Sequence, residues 1–312
     1  MGVDRTGRYA LANGDGGVVV DGGIGNLIGG TSPGAGNVIS GNGSQYGRGG
    51  VTLGSNSGSP GYNAVSNVVQ GNLIGTDAAG ILAIGNAGSG VLLLSYSATN
   101  RIGGSSPGAS NIISGNLTGI ELFHTWDNQV QGNLVGTDST GVAPLGNRYD
   151  GISLVDSPGN EIGGVEAGAR NLISGNGRDG IALLNDSSTN NVVRGNYIGT
   201  DISDLKALGN ARVGILVSGE TSLARGQASH NQIGGDAVGA GNLIAGNAFG
   251  GIRIVEANAT ANVVQGNLIG TDVLGKKALG NGDGSGVFIR NAPGNVIGGR
   301  TSGARNVISG NN

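Results

Sequence analysis

The chain has 312 residues, with 68 glycines, 3% aromatic residues, 12% charged residues and no cysteine. Its formal net charge of −3 is scattered over both signs, whereas a nucleic-acid partner would call for a basic stripe. Abundant glycine without a Gly-X-Y period excludes a collagen helix, scarce aromatics argue against an ordinary globular core, and no apolar run reaches the roughly 18 residues of a membrane-spanning helix. The expectation is therefore a protein with neither nucleic-acid partner nor membrane insertion, and the lack of cysteine suits an extracellular setting.

In chain order the elements repeat. A short strand signal, Gly-(Val/Ile)-x-(Leu/Ile/Val), begins at Val51, Val91, Ile120, Ile152, Ile181, Ile215, Ile252 and Val287, with Val18–Val20 as an earlier copy. After each comes an Asn-x-(Ile/Val) step, from Asn26 to Asn295, then a second, from Asn37 to Asn306, and a closing Gly-Asn, from Asn42 to Asn311. The blocks alternate between two kinds. One reads "IGGVEAGARNLISGN" (Ile162 to Asn176); the other reads "NVVQGNLIGTD" followed by "ALGN" (Asn262 to Asp272, Ala278 to Asn281).

Strands of four or five residues cannot bury a face alone. Stacked on successive coils, they pair their backbones and line up their aliphatic residues inside. Three strands per coil predict an all-β, single-chain solenoid: a right-handed parallel β-helix of about nine coils, with handedness set by the usual crossover rule. Asparagine is expected at the corners because it tolerates left-handed backbone and can bond its equivalents one coil away. Residues 1–312 read as one continuous β-helix whose two ends fall in mid-coil, so a segment of a longer array is expected.

The motif "NxIGGxxxGAxNxISGN…GIxL…NxVxGNxIGTDxxGxxALGN…GVxL", carried from about Val18 to Asn311, resembles the right-handed parallel β-helix repeats of bacterial surface and secreted proteins. The wider pectate-lyase-like superfamily is similar in architecture. The resemblance implies an extracellular or cell-surface location. It also implies that any polysaccharide would lie along the outer strand face. It does not select an activity, because one fold hosts many.

The Gly-Thr-Asp motif places Asp77, Asp138, Asp201 and Asp272 in every second coil, in the turn after a strand, and Gly2-Val3-Asp4 reads as a degenerate fifth copy. The expected role is an Asx-type turn in which the carboxylate caps free backbone N–H groups. Calcium held in each loop with carbonyls and water is the alternative, and no other cofactor is expected. Equal copies argue against catalysis there, since an active site is normally unique.

Chemistry is sought where the repeat breaks. "GIELFHTWDNQVQGN" (Gly119 to Asn133) holds Glu121, Phe123, His124, Trp126 and Asp127; Asp156 follows one coil on from His124, and Arg148, Asp150, Arg178 and Asp179 lie nearby. Glu121, Phe123, His124, Trp126, Asp127, Asp156 and Arg178 are the candidate ligand-binding set, since tryptophan beside polar and charged groups suits sugar stacking and readout. Glu121, His124 and Asp156 are the catalytic candidates. A second feature is an apolar stripe on the outward positions of the first strand, Leu92, Leu94, Phe123, Val155, Leu184, Leu216, Val255 and Phe288, expected to be exposed and to meet another subunit or a neighbouring segment. The leading expectation is a rigid, non-enzymatic surface module for display, self-association or adhesion, with glycan binding around Trp126. A polysaccharide lyase, glycoside hydrolase or epimerase is the alternative.

Overall fold

The computed structural model describes residues 1–43, 48–55, 63–185, 187–219, 227–282 and 284–312. Among these residues the chain is a right-handed parallel β-helix. Three nine-stranded sheets run along it, each taking every third strand in register. The first sheet contains Val18–Val20, Val51–Leu53, Val91–Leu94, Ile120–Phe123, Ile152–Val155, Ile181–Leu184, Ile215–Ser218, Ile252–Val255 and Val287–Arg290. We number the coils one to nine by these strands. Strands are shorter than the sequence suggests: three or four residues in the first sheet, two or three in the second and two in the third. Corners rather than strands take up most of each coil.

The interior is a stack of aliphatic layers. Ile120, Leu122, Val130 and Val135 of the fourth coil are fully buried, and Ile152, Leu154, Ile162 and Ile173 lie over them in the fifth. Three asparagine ladders run beside this core. In each, the side-chain Oδ1 of one coil accepts both the backbone N–H and the Nδ2 of the coil before, as for Asn100 on Asn128 (2.9 and 3.0 Å), Asn133 on Asn171 (2.9 and 3.1 Å) and Asn116 on Asn147 (3.0 and 3.2 Å). Asn13, which the repeat pattern leaves out, starts the third ladder by donating to Asn42.

One detail of the corner chemistry differs from expectation. None of the ladder asparagines has positive φ; in the first series that conformation falls on the residue just before, namely Gly25, Ser66, Thr99, Asp127, Gly159, Asn190, His230, Ala261 and Gly294. The ladder residue is chosen for its amide, which donates and accepts at once. The neighbour carries the left-handed turn.

The alternation of block types also has a physical basis. The Ser of "ISGN" in one coil donates to the Thr carbonyl of Gly-Thr-Asp in the next and accepts from its Gly N–H, as in Ser114 with Thr137 (2.7 Å) and Gly136 (3.2 Å), and Ser174 with Thr200 (2.7 Å) and Gly199 (3.1 Å). The Gly-Thr-Asp loops stack on one another across two coils: Ser139 N–H bonds Gly80 O (2.8 Å) and Ile202 N–H bonds Gly141 O (2.9 Å). A loop two strand spacings thick fits only on alternate coils.

Candidate functional site

The Gly-Thr-Asp aspartates cap their own loops. Oδ1 of each accepts the backbone N–H groups four and five residues on: Ile81 and Leu82 for Asp77, Val142 and Ala143 for Asp138, Leu205 and Lys206 for Asp201, Lys276 and Lys277 for Asp272, and Arg8 and Tyr9 for Asp4. The Thr6 hydroxyl, with the Arg8 and Tyr9 amides, holds Asp4 below the usual carboxylate range. Burial pulls Asp138 upward but is outweighed by the Thr140 hydroxyl and the loop amides, and the Lys276 and Lys277 amides hold Asp272 down. Two loop amides thus bond Oδ1 at every copy.

The outer face of the first sheet differs from coil to coil. At the third and fourth coils it carries an aromatic corner. Trp126 meets Tyr96 edge to face with ring centroids 5.7 Å apart, and Phe123 meets His124 at 4.3 Å. His124 Nε2 lies 3.9 Å from Asp156 Oδ2 one coil on, while Glu121 accepts a 2.6 Å bond from the Ser89 hydroxyl one coil back. Backbone geometry accounts for three of these residues. His124, Asp127 and Asp156 all have φ between 51° and 55°, a region in which His, Asp and Asn are enriched among side-chain-bearing residues. Tyr96 also has positive φ, 67°, where tyrosine is not a favoured residue, and Trp126 does not; they are 47% and 36% exposed.

From the fifth coil to the ninth the same face carries a groove of about 350 Å³. Its floor is Ala182, Leu184, Leu216, Ser218 and Val255, continued in register by Arg253 and Arg290; Asp150, Arg178, Asp179 and Arg212 border it where the chain enters the strands, and Glu256 where it leaves. Asp150 and Asp179 each stand two residues before a first-sheet strand, on adjacent coils. Asp150 Oδ1 accepts the Asp179 N–H (3.0 Å) and Asp179 Oδ1 accepts the Val213 N–H (3.1 Å). Burial raises both carboxyls above their ordinary value, and the amides and arginines only partly offset it. Arg212 lies 3.4 Å from Asp179, Arg178 stacks on Tyr149 at 4.2 Å, Arg253 on Phe288 at 4.8 Å, and Arg290 lies 3.3 Å from Glu256.

Of the candidate ligand set, Arg178 belongs to this groove, and the rest belongs to the aromatic corner. Arg212, Arg253, Arg290 and Glu256 were not singled out by the sequence pattern. Aligning blocks on the first strand places Arg212 three residues before it, like Arg178, and Arg253 on an outward position, so register carried the signal.

The apolar stripe requires correction. Leu92, Leu94 and Val255 are buried, Phe123, Val155, Leu184 and Leu216 are half-buried, and only Phe288 is exposed. Outward side chains one strand spacing apart cover one another, and Glu121, Ser153 and Arg253 interrupt the line.

No protein-family model matches the chain, and no curated protein is significantly similar to it. Among solved structures it is similar to the Dettilon tailspike protein, at 18% identity and a TM-score of 0.47 over 93% of this chain and 54% of that one. It is also similar to an alginate lyase from Paenibacillus sp. strain FPU-7, at 14% identity and a TM-score of 0.27 over 91% and 90% of the two chains. The chain thus spans about half the length of the tailspike. Among the described residues no helix is long and apolar enough to cross a membrane, and no cluster of three or more His, Asp or Glu side chains is arranged for a metal.

Proposed function

We propose that this chain is a rigid extracellular or cell-surface β-helix module whose first-sheet face binds an acidic polysaccharide. The observation that carries the reading is the groove with Arg178, Arg212, Arg253 and Arg290 on successive coils. Guanidinium groups suit carboxylate and sulfate by paired hydrogen bonds. Repetition at each strand spacing suits a ligand that itself repeats along the rod. Leu184 and Leu216, half-buried in the floor, supply contact for sugar rings. Self-association through the Leu92–Phe288 line is a weaker proposal, because most of that line is already covered.

The test is retention on immobilised polygalacturonate and dextran sulfate, with uncharged dextran as control. Wild type should be retained on the acidic polymers and released by salt. Arg253→Ala should weaken retention at least about tenfold without loss of fold. Leu184→Glu should also weaken it, by adding an acid to the groove, and leave the oligomeric state unchanged. Dissociation of an oligomer by Leu184→Glu would favour the interface instead.

The second reading, a polysaccharide-active enzyme, is favoured by one feature: the half-buried Asp150 and buried Asp179 carboxyls on adjacent coils, with raised proton affinity, beside the groove. It predicts new chain ends when polymer and protein are incubated, lost in Asp150→Asn. Glu121, His124 and Asp156 are less suited, since Glu121 is held by Ser89 and the other two sit at left-handed corners.

A further inference from the structure

The two ends of the first-sheet face differ in chemistry: the groove arginines lie at one and the exposed rings of Tyr96 and Trp126 at the other. At the third to fifth coils the ionisable groups are Glu121, Asp127 and Asp156, with His124, beside the exposed rings of Tyr96 and Trp126. At the sixth to ninth coils they are the four arginines, set among Asp179, Glu256 and, from the fifth coil, Asp150. Arg148 lies at the boundary, over Tyr149. One outward line joins the two ends: Phe123 pairs with Val155, Val155 with Leu184, Leu184 with Ser218 and Ser218 with Val255.

A uniformly acidic chain laid along this line would meet the arginines at one end and three carboxylates at the other. An uncharged chain would stack on the aromatic corner and leave the arginines unused. Only a chain that changes character along its length satisfies both ends. From Trp126 in the fourth coil to Arg290 in the ninth is five strand spacings, on the order of 24 Å.

We propose that the face binds a block-patterned polysaccharide in one direction, with an uncharged run of sugars on the Tyr96–Trp126 corner and an acidic run in the arginine groove. The proposal rests on the groove being an acidic-glycan site. Trp126 is the only tryptophan, so its emission reports occupancy of the corner alone.

The probes are polygalacturonate fragments longer than about 24 Å, matched in overall methyl esterification but with esters either in blocks or at random, plus the fully de-esterified form. The block form should bind about tenfold more tightly than the random form, the contribution of one or two ring contacts, and should shift Trp126 emission. The de-esterified form should bind without that shift. Tyr96→Ala should erase the block preference and leave the affinity for de-esterified fragments unchanged. Equal affinity for block and random fragments with unshifted Trp126 emission would overturn the directional inference and leave the groove reading in place. No binding of any acidic fragment would remove the groove reading itself.

Discussion

The third sheet and the first sheet are built from the same coils and stacked by the same backbone pairing, yet they differ in what they show to the outside. The outward positions of the third sheet are apolar throughout: Val38, Leu73, Ile112, Leu134, Leu172, Tyr197, Leu243, Leu268 and Val307. In the first sheet the equivalent positions run Thr52, Leu92, Glu121, Ser153, Ala182, Leu216, Arg253 and Phe288. One surface is written once and copied; the other is written coil by coil. Repeated positions answer to stacking, so a change there should cost stability and leave ligand chemistry alone. Unrepeated positions are free of that demand, and changes there should do the reverse.

The strongest break of the repeated side is Asn196→Ala. Asn196 Nδ2 donates to Asn242 Oδ1, Ile162 O and Arg194 O at 2.9–3.0 Å, and its Oδ1 accepts two bonds from Asn171, all within the wall of the helix. Loss of that set should destabilise by about 3–5 kcal/mol in denaturant titration. Ser174→Ala should cost less, about 1–2 kcal/mol, because the seventh coil already carries Ala245 at the equivalent place. Asp138→Ala should cost about 1 kcal/mol through the uncapped loop.

The acid limb of a melting profile sharpens the comparison further. Asp138 has a lowered carboxyl, so its contribution is present above the ordinary value of 3.8 and is lost as pH falls through the lowered one. Asp150 and Asp179 have raised carboxyls, so the folded state takes up their protons first, and their penalty is relieved as pH falls from the raised values towards 3.8. Asp179→Asn, which retains an acceptor for the Val213 N–H, should therefore flatten that relief and raise stability at neutral pH, where the ionised carboxyl carries the penalty. Asp138→Asn should reduce the acid-side loss instead. A profile in which both variants change in the same sense would contradict this assignment.

Most of the fold was legible because it is periodic. Nine copies of each asparagine and each aliphatic pair fix strand, corner and order. The tasks of neighbouring corner residues were not separable from sequence, since Asp127 and Asn128 both read as turn formers and only the backbone shows which one is left-handed. The burial of the stripe is hidden from the sequence for a related reason: alternation tells which way Leu92 points but not what lies against it. The groove was half legible. Arg178, Asp150 and Asp179 stood out in one stretch, but Arg212, Arg253 and Arg290 come from later coils and meet them only through register.

The most direct test of the central claim measures affinity for de-esterified polygalacturonate in Arg253→Ala and Asn196→Ala beside wild type, with circular dichroism and melting on the same samples. The account predicts that Arg253→Ala melts like wild type and binds at least about tenfold more weakly. It predicts that Asn196→Ala melts far earlier and, while folded, binds like wild type. Unchanged affinity in Arg253→Ala, or acidic polymer that never binds wild type, would contradict it.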